Sequence, residues 1–208
     1  MAMSATTVSA IKTNRRGPTS DGRERVLMEA QRLFVSRGFA EVSMQQIAEA
    51  VGMTKAALYY HFQNKEDLFL HVIERELSRL RSGLTAGIAG QDSTWDRLAF
   101  AAQYFLDHFR GDFGRLMGDM KQHLSKCDGP PGGGLPFEAV ESIFADAVAR
   151  GELRPGLDAA DLTPCFVGMI FAQAHRDHIA AGRPAPSRTN AETAAFIADL
   201  MLKGATRG

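Results

Sequence analysis

Residues Val42 to Leu68 read VSMQQIAEAVGMTKAALYYHFQNKEDL, and the order of cap, apolar period, glycine, cap and second apolar period decides how the rest of the chain is read. Ser43 is placed to cap a short helix over Met44 to Ala50, whose inward positions are Ile47 and Val51. Gly52 supplies the positive φ that a turn of three or four residues needs. Four residues earlier, Ala48 offers a minimal side chain where a second helix must cross closely. Thr54 caps that second helix, and Leu58 and Phe62, four apart, form its buried side. Lys55, Ala56, Ala57, Tyr59, Tyr60 and His61 remain outward, small, cationic and aromatic groups that suit a DNA groove. The spacing is that of a helix-turn-helix.

Gly38-Phe39, followed by IAEAVGMTKAALYYHFQNKEDLF from Ile47 to Phe69, also resembles the TetR-type transcriptional regulators. The resemblance covers roughly the first third of the chain and is specific, because the Ala-x3-Gly pair is joined by LYYHF, Asn-Lys and an apolar helix start. It implies a connecting lever helix, an inducer pocket in each body, and two C-terminal helices that pair with their copies as a four-helix bundle.

Outward from this stretch, Val26, Leu27, Ala30, Leu33 and Phe34 recur at helical spacing, so Asp21 to Arg37 is a first helix closed by Gly38. Phe39 and Val42 are expected to pack beneath the helix-turn-helix. Residues 1–20 are small, polar and aperiodic, and read as a disordered basic tail. Its Lys12, Arg15 and Arg16 suit either a DNA-following arm or a merely solvated tail. After the motif, Asn64 caps a helix whose Leu70, Ile73, Leu77, Leu80 and Leu84 keep one stripe for about four turns, with a break expected around Gly87 to Asp92.

The remainder reads as all-helical. One stripe is Leu98, Ala101, Ala102, Phe105 and Phe109; the next is Phe113, Leu116, Met117, Met120 and Leu124, with Gly111 at the junction. Gly129 to Pro136 is too rich in breakers to be helical. Phe137, Val140, Phe144, Ala147 and Val148 restart the period until Gly151. Asp158 or Asp161 caps a helix expected to reach about Gly182, apolar on nearly every side, and Asn190 to Lys203 forms the last. Two final helices with apolar surface to spare fit a homodimer interface. The expected architecture is therefore all-α: a helix-turn-helix DNA-binding domain over 21–67, joined by a long helix to a helical ligand-binding and dimerisation domain over 68–208.

Composition agrees with a globular protein of 208 residues with a sizeable core. No apolar run approaches the roughly 20 residues that span a bilayer, and the N-terminus lacks a signal-peptide core, so a cytoplasmic protein with no membrane partner is expected. Cys127 and Cys165 are too few for a disulfide framework and read as free core thiols. Zero formal net charge hides an asymmetry: through Lys65 there are nine Lys and Arg against five Asp and Glu. A basic head on an acidic body fits local attraction to phosphate, although an imbalance this small also fits drift of surface charge.

The site residues follow from chemistry, and the resemblance supports them as a set. Lys55, Ala56, Ala57 and Tyr60 lie toward base edges and thymine methyls, with Tyr60 also readable as half core. Tyr59, His61 and Lys65 offer donors to phosphate; Ser43 and Gln45 reach phosphate from the preceding helix, and Thr54 opens the reading helix. In the body, Phe105, Phe109, Phe113, Met117, Met120, Phe144 and Met169 either line the pocket that the resemblance implies or are plain core. Gln173, a polar amide in an apolar helix middle, either meets a ligand or is a satisfied interface residue. His123 with Cys127, and His175 with His178, have the spacing of ligand pairs, but His175-Arg176-Asp177-His178 near a helix end also reads as a polar rim, and no metal and no cofactor are expected. There is no phosphate loop, nucleophile elbow or HExxH pattern, and no enzyme is expected. The leading reading is a repressor that holds a pseudo-palindromic double-stranded operator as a dimer until a small apolar or aromatic effector enters the body. The alternatives are a metal-binding or enzymatic helical protein with an incidental helix-turn-helix, and a DNA-binding protein without an effector.

Overall fold

The computed structural model describes residues 18–124, 135–175 and 188–206. Among them lie nine helices: α1 (Pro18–Arg37), α2 (Met44–Val51), α3 (Lys55–His61), α4 (Lys65–Ala89), α5 (Thr94–Arg110), α6 (Asp112–His123), α7 (Phe137–Ala149), α8 (Ala159–Ala174) and α9 (Asn190–Ala205). The all-α fold expected from the sequence is the fold observed. The loop over 129–134, Cys127, His178 and the first 17 residues of the tail lie outside the described residues.

The head follows its local signals closely. α1 starts at Pro18, three residues before the expected Asp21, because proline's fixed φ and missing N–H suit the first helical position. Val26, Leu27, Ala30, Leu33 and Phe34 are all buried. Gly38, at φ 85°, turns the chain, its N–H returning to the Phe34 carbonyl at 2.8 Å. Ser43 caps α2 in a reciprocal box with Gln46, and Gly52, at φ 69°, closes the helix with its N–H on the Ala48 and Glu49 carbonyls. Thr54 accepts the Ala57 N–H and so starts α3. Ile47, Ala48, Leu58 and Phe62 are buried as expected, and Phe39 and Val42 close the core from below.

α4 differs from expectation at both ends. Near its start Leu68, Phe69 and Val72 occupy the core, while Leu70 is only half-buried. At the far end the helix passes through Gly83 and Gly87 to Ala89. These glycines are places of close approach rather than breaks, since a Cβ on Gly83 would overlap the Tyr104 ring and one on Gly87 the Phe100 ring. The roughly 1 kcal/mol helix penalty of each glycine is offset by letting α5 lie against α4.

α5 is the centre of the body, packed against α4, α6, α7, α8 and α9. Leu98, Ala101, Ala102, Phe105 and Leu106 are buried, and the small alanines allow the α9 backbone to come near. In α7 Val140, Phe144 and Ala147 are buried as expected and Ile143 joins them, whereas Val148, expected inside, is exposed. Of the two candidate caps for α8, Asp158 is the one that accepts the Asp161 N–H, at 2.8 Å. α8 ends at Ala174, short of the expected Gly182. The turn after α7 is tied to the end of α9 by a Leu153–Thr206 bridge and by the Arg154 N–H on the Ala205 carbonyl at 2.8 Å. Cys165 is exposed, not a core thiol, and borders the groove between α8 and α9.

Candidate nucleic-acid interface

α3 owes its outward face to what holds its inward one. Leu58 is completely buried, and Phe62, at the helix end, has the Arg23 guanidinium 5.1 Å from its ring centre and the His71 ring T-shaped to it at 5.6 Å between centres. Side chains of α1 and α4 therefore both hold the end of α3 through Phe62. Arg25 adds a bond to the Val51 carbonyl at 3.3 Å, tying α1 to the end of α2. Arg75 ties α4 to α1 through Glu24 at 2.7 Å and Gln31 at 2.8 Å. In the sequence Arg23 and Arg25 are each one more basic residue, and nothing local marks their packing roles.

With α3 so fixed, Lys55, Ala56, Tyr59 and Tyr60 point to solvent, and Ala57 and His61 are half-buried. Tyr60 is 86% exposed, which removes the reading of it as half core. Tyr59 is 44% exposed and carries the Lys55 ammonium 5.8 Å from its ring centre. Two tyrosines and a lysine in the open on a helix of seven residues present π-faces, hydroxyl donors and a cation, with the small Ala56 between them, a chemistry that suits a DNA groove.

The flanking candidates are placed differently. The Ser43 and Thr54 hydroxyls are exposed but already serve as caps. Gln45 is exposed and donates to Glu49 at 2.7 Å. Lys65 is half-buried: its ammonium donates to the Phe39 carbonyl at 2.9 Å and stands 4.2 Å from the Phe39 ring centre. One ammonium has three donors, so a phosphate remains within its chemistry, but its first function is to join α4 to the turn before α2.

In the body the aromatic candidates come together. Phe109 lies 5.8 Å from Phe105, 5.9 Å from Phe113 and 4.7 Å from Phe171 between ring centres. Phe105, Phe113, Met120 and Phe144 are buried, whereas Phe109, Met117, Met169 and Gln173 are half-buried. Three grooves stand out. One of about 420 Å³ runs between α7 and α8, along Phe137, Glu141, Thr163, Pro164, Val167 and Phe171. One of about 310 Å³ runs between α8 and α9 and takes in Met169, Cys165 and Leu200. The third, about 390 Å³ and more polar, touches Phe113 where α1, α4, α5 and α6 meet. Phe105, Phe109, Met117, Met120, Phe144 and Gln173 line none of these three. Gln173 is not in a helix middle: it is the second-last residue of α8, and its carbonyl accepts from Arg110 at 2.9 Å. Among the described residues no three His, Cys, Asp or Glu side chains converge as a metal site, and no helix is long and apolar enough to cross a membrane.

A capped helix-turn-helix with an open second helix, carried on an all-helical body by one long helix, defines a helix-turn-helix DNA-binding protein. Residues 26–72 match the family described as "Bacterial regulatory proteins, tetR family". The chain is 34% identical over 102 residues to the HTH-type transcriptional activator FasR of Mycolicibacterium smegmatis, covering 48% of this chain and 47% of that protein. It is 40% identical over 58 residues to the HTH-type transcriptional regulator AcrR of Shigella flexneri, covering 28% of this chain and 27% of that one. These matches thus span about half or less of the relatives' own length. A putative TetR-family transcriptional regulator from Mesorhizobium loti superposes over 92% of this chain and 100% of its own, at TM-score 0.72 and 17% identity. The FadR regulator of Bacillus subtilis, solved with stearoyl-CoA, superposes over 87% and 98%, at TM-score 0.63 and 14% identity. Residues 26–72 are thus similar to the N-terminal domain of the TetR family, and the relatives matched there are named as transcriptional regulators.

Proposed function

We propose that the protein is a cytoplasmic transcriptional repressor that binds a pseudo-palindromic operator as a homodimer and is released by a small apolar or aromatic effector. The observation that carries the DNA-binding part is the outward face of α3, where Lys55, Tyr59 and Tyr60 are exposed on a helix whose end is held through Phe62 by side chains of α1 and α4. Dimerisation is supported by apolar side chains on the last two helices: Phe196 is 41% and Leu200 52% exposed, and exposed Cys165 of α8 shares a groove with Leu200. A monomer gains nothing by showing such a face to water; a second copy covers it. Two α3 helices then lie one helical turn of DNA apart, roughly 34–36 Å. The effector part is supported by the apolar α7–α8 groove and by the Phe109 cluster beside it.

The experiment is selection of operator fragments from genomic DNA, followed by transcription from a promoter carrying the recovered site, with and without a ligand library. Repression relieved by an apolar ligand is the expected result. No sequence preference above random duplex would remove the DNA-binding reading, and increased transcription on binding would replace repression by activation.

A further inference from the structure

Phe39, in the turn between α1 and α2, is held from both sides by charge. Its N–H donates to the Asp119 carboxylate of α6 at 2.7 Å, and its carbonyl accepts from the Lys65 ammonium of α4 at 2.9 Å. Both are charge-assisted bonds, stronger than neutral ones, and an anion on the amide with a cation on the carbonyl of one residue polarises it in one sense. The side chain is held as well: the ring lies 4.2 Å from the Lys65 ammonium, 4.9 Å from Phe69, 5.8 Å from Phe34 and 5.4 Å from His123 of α6. Gly38, at φ 85°, brings the chain past Asp119.

Among the described residues, the Asp119 bond is the one hydrogen bond that joins residues 22–64 to the helices after α4. Without it, the head is attached to the body by α4 and by apolar contact alone, and apolar contact slides more readily than a directed bond. We propose that Asp119 is a positioning residue for DNA binding: from the body, it fixes the turn that launches α2, and through Phe39 it fixes the start of α4, so that the two heads of a dimer are set at one separation. This rests on the dimeric DNA-binding reading above and deepens it.

The test uses the full-length protein, a selected operator duplex and a duplex holding one half-site. Asp119→Ala is expected to weaken binding to the full operator on the order of tenfold, the size of a lost hydrogen bond to a charged group, and to leave half-site affinity within about twofold. Asp119→Asn keeps an oxygen for the Phe39 N–H and is expected to restore most of the full-operator affinity. Amide exchange at Phe39 should quicken in Asp119→Ala alone. Equal affinity of Asp119→Ala and wild type for the full operator overturns the proposal. So does an equal loss on the half-site, which would make Asp119 a support of head folding only. A failure of Asp119→Asn to recover, with its thermal midpoint unchanged, overturns it too. A wild-type protein that prefers no operator would instead remove the function on which the proposal rests.

Discussion

The head and the body place their helices by different means. In the head each short helix is set by its own ends: α2 has a reciprocal box and a left-handed glycine, and α3 a threonine cap. Helices of eight and seven residues are too short to persist alone, so these ends and the contacts of Leu58 and Phe62 must place them, and the outward face of α3 stays free of any packing duty. The body helices are capped as well, α5 by Ser93, α8 by Asp158 and α9 by a Thr189 box, but being longer they also meet along their lengths: Gly83 and Gly87 of α4 lie close to Tyr104 and Phe100, and α5 is surrounded. A part that reads DNA needs a fixed frame with a blank outer face. A part that answers to a ligand needs faces that can exchange partners.

The sharpest separation of the two comes from Leu58→Ala. Removing a fully buried leucine from so small a core should cost about 2–5 kcal/mol, enough to unfold the head and abolish operator binding. Circular dichroism and sedimentation should still report a helical dimer; loss of the dimer as well would mean the two parts fold as one. Leu200→Glu acts from the other side. A charge on a half-exposed leucine costs a monomer little but is buried unpaired in a dimer, so the variant should sediment as a monomer and bind the full operator little better than a half-site. A dimer that survives this change would move the interface away from α9.

Gly87→Leu tests the α4–α5 contact. The Phe100 ring must move, an overpacking penalty of about 1–3 kcal/mol that the roughly 1 kcal/mol helix gain of losing a glycine offsets in part, so the thermal midpoint should fall by up to roughly 8 °C while room-temperature operator affinity stays near wild type. The smallest effect concerns Glu152. Its carboxyl is held below the ordinary value by the Arg150 side chain first and the Thr94 hydroxyl second. A depressed folded value contributes stability above the unfolded value of about 4.5 and loses it as pH falls through the folded value. Glu152→Gln should therefore melt slightly below wild type at neutral pH, by the small amount typical of surface pairs, with the gap closing under acid. A gap that widened under acid would contradict this.

The difference between head and body also explains what could be read from sequence. Ser43, Gly52, Thr54 and Leu58 carry local instructions, and each was placed where it was expected. In the body, glycine is ambiguous without its neighbour: Gly87 looks like a break until Phe100 is seen beside it. The apolar run of α8 carries no stop signal near Ala174, yet Gln173 lies at a helix end and not in the middle that the run implies. Val148 and Cys165 are apolar or soft residues at helical spacing that face outward, and spacing alone does not tell a core from a surface awaiting a partner. The bond from Phe39 to Asp119, 80 positions away, leaves no trace in the sequence.

The central claim is that the open face of α3 reads base sequence. The direct measurement is the affinity of wild type and Lys55→Ala for the selected operator and for a panel of its single base-pair variants, at fixed salt. Lys55 is exposed at the start of α3 and is expected to contribute at one position, so the variant should lose about 1–3 kcal/mol of discrimination there and keep the rest of the preference profile. A Lys55→Ala protein with every base preference intact, or with all of them weakened equally, would contradict the account.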